Sequence, residues 1–511
     1  MRLHALVQTS LDVAATRSRL EKRALLSALL RKLTGPEIEV GVAYLSGQLP
    51  QGRIGLGWAL FRDLKPGSPS PSPQLELLEA HAAFDAVAEI KGAGSKKRRA
   101  HAIGALFARA TEDERRFLTQ LVLGGLRQGA QVGVMIDAVA AATEIEIEEV
   151  RRATMIAGDV APVATAALRE GRDALERFQL TLMSPVSPML ASPADDVESA
   201  LERLGNAAFE LKLDGARVQV HKSGDLVRVF TRRLHEVTER VPEIVEQVRA
   251  MPADTLILDG EAIALRADGR PHTFQTTMRR FGRKTNIAEM RARLPLSHVY
   301  FDLLYLDGDP FIDRPTTDRI EALDAVVGAE HAVRRVITDE PEVALAFYDE
   351  VVLGGHEGLM AKSLRDTYAA GRRGHSWLKL KPSHTLDLVV IAVEQGSGRR
   401  SAWLSNLHLA ARDPKDGSFV MLGKTFKGMT DDMLKWQTAH LGALEIGREG
   451  HVVHVRPETV VEIAFSNVQA SPTYASGMAL RFARVKRYRT DKAADAAATI
   501  DEVRAIFDKE Q

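Results

Sequence analysis

Near the middle of the chain stands the stretch Glu210-Leu-Lys-Leu-Asp-Gly215, between two short apolar runs. The runs Ala207-Ala-Phe-Glu-Leu211 and Ala216-Arg-Val-Gln-Val-His221 have the composition of strands. Two interpretations of Lys212 follow. In the simpler one, the strands form a β-hairpin with its turn at Asp-Gly, and Lys212 lies in solvent. In the other, burial and neighbouring cations, which lower the pKa of a lysine from about 10.4, make the amine a nucleophile.

Length and composition bound the kind of protein. At 511 residues the chain is too long for one core, and roughly three domains are expected. The 68 basic and 68 acidic residues balance, which does not exclude nucleic acid because binding depends on where the charge lies. The chain has no cysteine, which excludes disulfides, a cysteine nucleophile and a cysteine-ligated zinc. The sequence has no signal-peptide pattern and no apolar run long enough for a membrane span, so we expect a cytoplasmic protein.

Hydrophobic periodicity divides the chain into three parts. Residues 1–183 have helical spacing of apolar residues, and Pro185-Val-Ser-Pro-Met-Leu-Ala-Ser-Pro193 interrupts that pattern. Alternating strand and helix signals occupy residues 184–384. Residues 385–511 give short strands, turn signals and one helix near residues 431–441, which is typical of a small barrel. The predicted fold class is a multidomain α+β protein with an all-α domain, a central α/β domain and a C-terminal β-barrel.

A basic stretch in the helical part is a candidate nucleic-acid contact. In Gly92-Ala-Gly-Ser-Lys-Lys-Arg-Arg99 a Gly-Ser loop precedes four cations, and free backbone N–H groups at a helix start can bind phosphate. The candidate residues here are Ser95, Lys96, Lys97 and Arg98. Leu126-Arg-Gln-Gly129 adds Arg127 as a weaker candidate. By itself, the first stretch could equally be a solvated basic face. The second, by itself, is more often an ordinary helix C-cap with a glycine.

Polar residues recur at strand ends in the central part. The stretches are Phe230-Thr-Arg-Arg233, Leu258-Asp-Gly-Glu261, Glu357-Gly-Leu-Met-Ala-Lys362 and Trp377-Leu-Lys-Leu-Lys381. In the last stretch Lys379 and Lys381 share one face of a strand, because their spacing is two. Taken singly, each stretch is more often a surface strand with a salt bridge. Their order along the chain makes them informative together.

This order of motifs resembles that of the covalent nucleotidyltransferases. It runs Lys-x-Asp-Gly, Thr-Arg, Asp-Gly-Glu, Phe-Asp, Glu-Gly-Leu-Met-x-Lys and Trp-Leu-Lys-x-Lys, and Arg481-Phe-Ala-Arg484 with Arg489-Thr-Asp-Lys492 resembles the last motif of that superfamily. Nearly the whole chain, including Gln51-Gly-Arg-Ile-Gly-Leu-Gly-Trp58, resembles an ATP-dependent DNA ligase, most like the actinobacterial type-B enzymes. The resemblance implies a helical DNA-binding domain (1–183), an adenylation domain (184–384) and an OB-fold domain (385–511).

The resemblance also implies a reaction in three steps. Lys212 would attack the α-phosphorus of ATP, which gives lysyl-AMP and releases pyrophosphate. AMP would then move to the 5′-phosphate of a nick, and the 3′-hydroxyl would displace it. The implied cofactors are ATP and Mg²⁺, with Mn²⁺ as an alternative. The implied partner is nicked double-stranded DNA, and we expect a monomer without membrane contact that associates with the nucleoid in replication, repair or recombination.

The matched motifs give the candidate site residues. Those implied to bind ATP are Glu210, Lys212, Arg217, Arg232, Glu261, Phe301, Lys379, Lys381, Arg484 and Lys492, with Lys212 as the catalytic nucleophile. Glu261 and Glu357 are the metal candidates, and Asp214, Gly215, Lys362 and Asp491 complete the motifs. By the resemblance, Glu210 accepts from the adenine amino group, Phe301 stacks on adenine and Lys362 contacts a phosphate. The segment from Arg484 to Lys492 would orient the pyrophosphate.

Three departures from the family pattern concern the last motif, the Thr-Arg motif and the domain connection. Ala483 stands where proline is usual, and Arg233 stands where asparagine is commoner. After Lys381 the chain reads Pro-Ser-His, a short linker, and we expect the hinge between the last two domains at residues 381–386.

Other protein classes share parts of this pattern. An RNA ligase or a GTP-dependent mRNA-capping guanylyltransferase shares Lys-x-Asp-Gly, but the large helical domain and the acid at Glu210 argue against both. An NAD-dependent ligase has a zinc finger with cysteine ligands, and the absence of cysteine from this chain argues against that class. A non-catalytic nucleic-acid-binding scaffold predicts a missing charge in the site, whereas every motif position is filled.

Overall fold

The computed structural model describes residues 1–64, 66–126, 128–129, 132–369 and 373–509. Arg127, the weaker nucleic-acid candidate, lies outside these described residues. The N-terminal part is helical, with α1 (Leu3–Ala15), α2 (Arg19–Leu30), α3 (Glu37–Leu45), α4 (Trp58–Asp63), α5 (Leu77–Ala88), α6 (Ser95–Arg109), α7 (Glu112–Val122), α8 (Val132–Thr143), α9 (Ile147–Ala157) and α10 (Val160–Glu170). Their apolar faces meet in one hydrophobic cluster, whose buried members extend from Leu3 to Leu175.

The predicted basic stretch forms the start of helix α6. Gly94 has a φ of +71°, a left-handed conformation that suits glycine, and the helix begins at Ser95. Lys96 and Lys97 are exposed in the first turn. Arg98 folds back, and its guanidinium donates to the Lys91 carbonyl at 2.6 Å. Exposed ammonium groups therefore stand beside the free N–H groups of a helix start.

The central part contains two sheets with helices around them. Its elements are β1 (Leu190–Pro193), α11 (Val197–Leu204), β2 (Ala207–Leu211), β3 (Ala216–Ser223), β4 (Leu226–Thr231), α12 (Pro242–Arg249), β5 (Thr255–Ala264), α13 (Phe274–Phe281), α14 (Ile287–Arg293), β6 (Leu296–Leu306), β7 (Asp309–Pro310), α15 (Thr316–His331), β8 (Arg335–Thr338), α16 (Pro341–Leu353), β9 (Leu359–Ser363) and β10 (Arg373–Leu380). One sheet has the order β1-β10-β9-β2-β8 and the other β4-β3-β5-β6-β7. Separate hydrophobic clusters lie against the two sheets.

The Lys212–Gly215 stretch crosses from one sheet to the other. Strand β2 pairs with β8 and β9, whereas β3 pairs with β4 and β5. The hairpin interpretation is therefore wrong, because the strands before and after Lys212 belong to different sheets. Gly215 is required at the crossing, since a Cβ there would lie 2.4 Å from the Ala262 carbonyl oxygen. The crossover holds Lys212 at the mouth of the space between the sheets.

The C-terminal part is a β domain with helices against it. Its elements are β11 (His384–Gln395), β12 (Leu404–Arg412), β13 (Phe419–Thr425), α17 (Asp431–Ala443), β14 (Glu445–Glu449), β15 (Val452–Val455), β16 (Val460–Phe465), β17 (Asn467–Ala470), β18 (Met478–Arg481), β19 (Arg484–Tyr488) and α18 (Ile500–Lys509). The long strand β11 pairs with β12 on one side, and with β16 and then β15 on the other. Because β11 pairs with different strands along its length, the sheet curves, as the predicted barrel requires. The all-α, α/β and β parts confirm the predicted fold class.

Contacts between the three parts close the chain around the central sheets. Arg152 of α9 makes a bidentate ion pair with Asp313, with nitrogen–oxygen distances of 3.0 and 2.8 Å. The Arg481 guanidinium of the C-terminal part donates to Asp214 at 3.1 Å. Arg17, between α1 and α2, pairs with Asp431. In the part of the chain that the structure describes, no helix is both long and apolar enough to cross a membrane.

Candidate active site

A cavity of about 590 Å³ opens between the two central sheets and the C-terminal domain. Of the predicted site residues, the structure brings together Glu210, Lys212, Asp214, Gly215, Arg217, Arg232, Glu261, Phe301, Glu357, Lys362, Lys379 and Lys381 in its lining. Arg484, Asp491 and Lys492 do not line it. The cavity has an aromatic end and a charged end, which differ in what they can bind.

Lys212 lies at the charged end, fixed by backbone and side-chain contacts. Its N–H donates to the Gly358 carbonyl at 2.8 Å, and its carbonyl accepts from the Glu357 N–H at 3.2 Å. Its Nζ lies 2.5 Å from Glu357 Oε2, while Lys381 pairs with the other oxygen of that carboxylate. The Lys212 amine is therefore held near the cavity by an acid that it shares with a second lysine.

The charged groups at this end perturb one another. Burial alone would raise the pKa of Glu357, but Lys212 and Lys381 outweigh it and hold that pKa below its usual value. Burial lowers the pKa of Lys381, and Lys212 adds to this effect while Glu357 opposes it. Burial and the Glu357 carboxylate raise the pKa of Asp214 against the effect of Arg481. Such strongly coupled charges are typical of a functional site.

Glu261 is an acid in the cavity lining whose carboxylate is available to a ligand. Its backbone pairs with Arg217 in the sheet, but among the described residues its side chain makes no hydrogen bond and no ion pair. Desolvation inside the cavity raises the pKa of Glu261 to about 8, although Lys212 and Arg217 act in the opposite direction. The ionised form of Glu261 is therefore poorly stabilised by the protein alone, and a further cation in the cavity would stabilise it.

The two glutamates Glu261 and Glu357 suit a metal ion that is bound together with a ligand. Within the described ranges, no group of three or more histidine, aspartate or glutamate side chains could hold a metal by itself. Glu261 and Glu357 both present carboxylate oxygens to the cavity. Mg²⁺ prefers oxygen ligands and is usually held by one or two carboxylates together with substrate phosphates. The donor set therefore fits Mg²⁺ in the presence of a nucleotide.

The opposite end of the cavity is aromatic. The rings of Phe301 and Trp377 meet edge to face with centroids 6.1 Å apart, and Met360 lies beside them in the lining. The Arg217 guanidinium lies 5.3 Å from the Phe301 centroid. Flat apolar rings with a cation over them suit a stacked nucleobase.

Glu210 and Lys362 form a buried ion pair at this aromatic end. Both side chains are 1% exposed, and Lys362 Nζ lies 2.7 Å from Glu210 Oε2. Lys362 also donates to the Phe301 carbonyl at 2.6 Å, and Arg335 Nε donates to Glu210 Oε1 at 3.3 Å. The Lys362 ammonium also lies 5.1 Å from the Phe301 ring centroid and 4.4 Å from that of Trp377. The phosphate contact expected of Lys362 stays a prediction. Arg335, which the sequence did not single out, shares the Glu210 carboxylate.

The last motif presents its first two residues to the cavity. Strand β18 ends at Arg481, and Phe482 has a φ of +59°, so the chain turns and both side chains line the cavity. Arg484 is exposed, Lys492 Nζ donates to Asp387 at 2.9 Å, and Asp491 accepts from Arg489. The sequence identifies this stretch as a motif. It does not show the register of the turn, which decides whether Arg481 or Arg484 lines the cavity.

Helix α13 supplies site residues that the sequence analysis missed. Phe274, Met278 and Phe281 line the cavity, and the Arg481 guanidinium lies 4.8 Å from the Phe274 ring centroid. Their spacing of four and three residues is the signal of one helix face. That signal was available in the sequence, but it does not distinguish a core face from a cavity wall.

Comparison with known proteins gives the family. Sequence models described as "DNA ligase N terminus", "ATP dependent DNA ligase domain" and "ATP dependent DNA ligase C terminal region" match residues 61–140, 188–381 and 400–492. A "Probable DNA ligase" of Anaeromyxobacter sp. (strain Fw109-5) is 56% identical over 508 residues, which cover 99% of this chain and 98% of that protein. A "Probable DNA ligase" of Mycobacterium marinum is 52% identical over 515 residues, with coverage of 99% and 100%.

The fold is also that of a solved structure. "Pmar-Lig_PreS3" is 19% identical and superposes with a TM-score of 0.62, covering 95% of this chain and 99% of that chain. At this identity the likeness shows the fold alone. Together with the full-length relatives and the three family matches, the lysine-centred cavity leads to one conclusion: the chain belongs to the ATP-dependent DNA ligase family.

Proposed function

We propose that this protein seals nicks with a 5′-phosphate and a 3′-hydroxyl in duplex DNA, using ATP to form lysyl-AMP on Lys212. One observation carries the proposal: the Lys212 amine, paired with Glu357, faces a cavity with a cationic end and an aromatic end. A nucleoside triphosphate has the same division, because its base is flat and apolar and its phosphates are anionic.

In the first step the Lys212 nitrogen loses its proton to solvent and attacks the α-phosphorus. A nitrogen–phosphorus bond forms, the bond from that phosphorus to the bridging oxygen breaks, and pyrophosphate leaves. Lys379, Lys381 and Arg481 line the charged end, where they offset phosphate charge. Glu261 and Glu357 would hold Mg²⁺, or alternatively Mn²⁺, which neutralises phosphate charge when it is bound.

The later steps reuse the same charged end. An oxygen of the DNA 5′-phosphate attacks the AMP phosphorus, and the bond to Lys212 breaks, which returns the amine. The 3′-hydroxyl then attacks the 5′-phosphorus, AMP leaves and the strand is closed. The exposed Lys96 and Lys97 at the start of helix α6 support a backbone contact with DNA, in which Ser95 and Arg98 take part. The protein acts as a monomer on the nucleoid in the cytoplasm.

Sealing assays test the proposal with the purified full-length chain, Mg²⁺ and either ATP or GTP. A nicked DNA duplex and a nicked RNA duplex of the same sequence serve as substrates. Sealing of the DNA with ATP is the expected result. Sealing of the RNA alone would favour an RNA ligase, and labelling of the protein by GTP alone would favour a guanylyltransferase. Binding of nicked DNA without either reaction would favour a non-catalytic scaffold.

A further inference from the structure

A buried tyrosine outside the recognised motifs contacts three groups on the cavity wall. Tyr368 is 2% exposed and lies in the segment after strand β9. Its hydroxyl donates to Asp259 Oδ2 at 2.7 Å and accepts from the Met189 N–H at 3.0 Å and from an Arg217 terminal nitrogen at 3.3 Å. A hydroxyl has one donor and two acceptor positions, so all three are used.

The same network fixes the Arg217 side chain. Its Nε and one terminal nitrogen donate to the two Asp259 oxygens at 2.9 and 2.5 Å, and its other terminal nitrogen donates to the Met189 carbonyl at 2.6 Å. A guanidinium has five N–H donors. Within the described residues these three bonds and the one to Tyr368 leave a single N–H of Arg217 for a ligand. As long as the network is intact, Arg217 can offer that donor in a single direction.

Tyr368 and Arg217 also clamp both backbone groups of Met189. The clamp lies immediately before Leu190 and Ala191, which line the cavity. Tyr368 further packs in one hydrophobic cluster with Trp377, against which its ring stands edge to face at 5.9 Å. Burial and the Asp259 carboxylate raise the pKa of Tyr368 well above its usual value, so the hydroxyl keeps the proton that it donates.

We infer that Tyr368 is a positioning residue for nucleotide binding, which sets Arg217 and the Leu190–Ala191 wall in the geometry that receives ATP. The inference rests on the proposed function, because the ligand is the nucleotide of that reaction. Tyr368 itself does not line the cavity and touches the nucleotide only through Arg217 and Met189. Loss of its hydroxyl should therefore weaken ATP binding more than it slows the chemical step.

Single-turnover formation of lysyl-AMP by the full-length protein, measured over a range of labelled ATP concentrations with Mg²⁺, tests this inference; KM is here the ATP concentration that gives half the maximal rate, and kcat is that maximal rate. Tyr368→Phe should raise KM for ATP about 10-fold and leave kcat within about 2-fold, because it removes one hydrogen bond to a charged group and keeps the ring. Tyr300→Phe is the matched control: Tyr300 is fully buried in the same domain, and among the residues that the structure describes its hydroxyl donates to Gln247 alone, at 3.4 Å. A KM for ATP that is the same in both variants would overturn the inference.

A second variant keeps the test open if Tyr368→Phe does not fold. Asp259→Asn removes the negative charge and one of the two oxygens that accept from Arg217 and Tyr368, and the KM change should again exceed the change in kcat. Where all variants fold, the KM effects of Tyr368→Phe and Asp259→Asn should not add in the double variant, because both act on Arg217. A fall in melting temperature with unchanged KM, or additive KM effects, would show a structural role only. Absence of label on the wild-type protein would instead contradict the proposed function itself.

Discussion

At the scale of single residues, Glu357 is the group on which the charged end depends. Its carboxylate pairs with both Lys212 and Lys381, and it is one of the two acids proposed to hold a metal ion. A neutral side chain of the same shape would leave two partly buried ammonium groups without the carboxylate that they share. It would also remove one of the two carboxylates proposed to hold the metal ion.

Glu357→Gln should therefore raise the Mg²⁺ concentration needed for half-maximal lysyl-AMP formation by at least about 10-fold. The measurement is a Mg²⁺ titration of protein labelling at saturating ATP. Glu342→Gln, a change in an exposed acid of the first turn of α16, is the matched control. An unchanged Mg²⁺ requirement in Glu357→Gln would remove this acid from the metal site.

His221 links the stability of the adenylation domain to pH. Its Nδ1 accepts from the Met183 N–H at 3.1 Å, so the proton lies on Nε2, which donates to Gln219 at 2.9 Å. Burial lowers the pKa of His221 to about 3, from 6.5. As the pH falls below 6.5, the unfolded state takes up a proton that the folded state does not, so stability decreases by up to about 1.4 kcal/mol per pH unit.

Thermal unfolding between about pH 7.5 and 5.5 checks this prediction. The wild-type protein should lose more stability over this range than His221→Gln, which is already less stable at the upper end. His101→Gln, a change in an exposed histidine of α6, should follow the wild type. Parallel curves for the wild type and His221→Gln would contradict the assignment of a neutral buried ring.

At the scale of elements, the crossover between β2 and β3 places the nucleophile. The strands were predictable from their composition, and the motif around Lys212 from its order among the others. Their separation into two sheets was not, because pairing partners such as β8 and β9 lie more than a hundred residues further along the chain. The position of Lys362 beside Glu210 escaped the sequence for the same reason, since a strand register decides which groups meet.

Gly215→Ala tests the crossover, because a Cβ at this position would lie 2.4 Å from the Ala262 carbonyl oxygen and 2.9 Å from the Glu261 side chain. The steric conflict should cost about 1–3 kcal/mol of stability and displace Lys212 from Glu357. Thermal unfolding and lysyl-AMP formation should both decrease. Gly442→Ala, where an added Cβ meets no atom within 4 Å, is the control and should keep both. Normal labelling by Gly215→Ala would show that the crossover tolerates a side chain.

At the scale of the whole molecule, the C-terminal domain completes the cavity. Arg481 pairs with Asp214 across the domain boundary, and the Phe482 ring centroid lies 5.9 Å from Lys381 Nζ. The short linker that was expected to be the hinge lies between β10 and β11. The sequence predicts three domains, but contacts between Arg481 and Asp214 depend on how the domains dock, which local patterns do not encode.

Arg481→Met should shift the molecule away from this closed arrangement. The Arg481–Asp214 ion pair is partly exposed, so the effect should be modest, about 1 kcal/mol or a few-fold in the closed population. Fluorescence transfer between labels on the central and C-terminal domains measures that population without DNA. Formation of lysyl-AMP should also slow in Arg481→Met. Arg448→Met, a change in an exposed arginine of β14, is the control and should have no effect. Equal transfer in wild type and Arg481→Met would contradict a role of this ion pair in closure.

Mapping the covalent adduct tests the central claim most directly. The full-length protein is incubated with ATP labelled at the α-phosphate and Mg²⁺, digested, and the labelled peptide is identified by mass spectrometry. The AMP adduct should lie on Lys212, disappear in Lys212→Ala and be released when nicked DNA is added. Label on another residue, or undiminished label in Lys212→Ala, would contradict the assignment of Lys212 as the nucleophile.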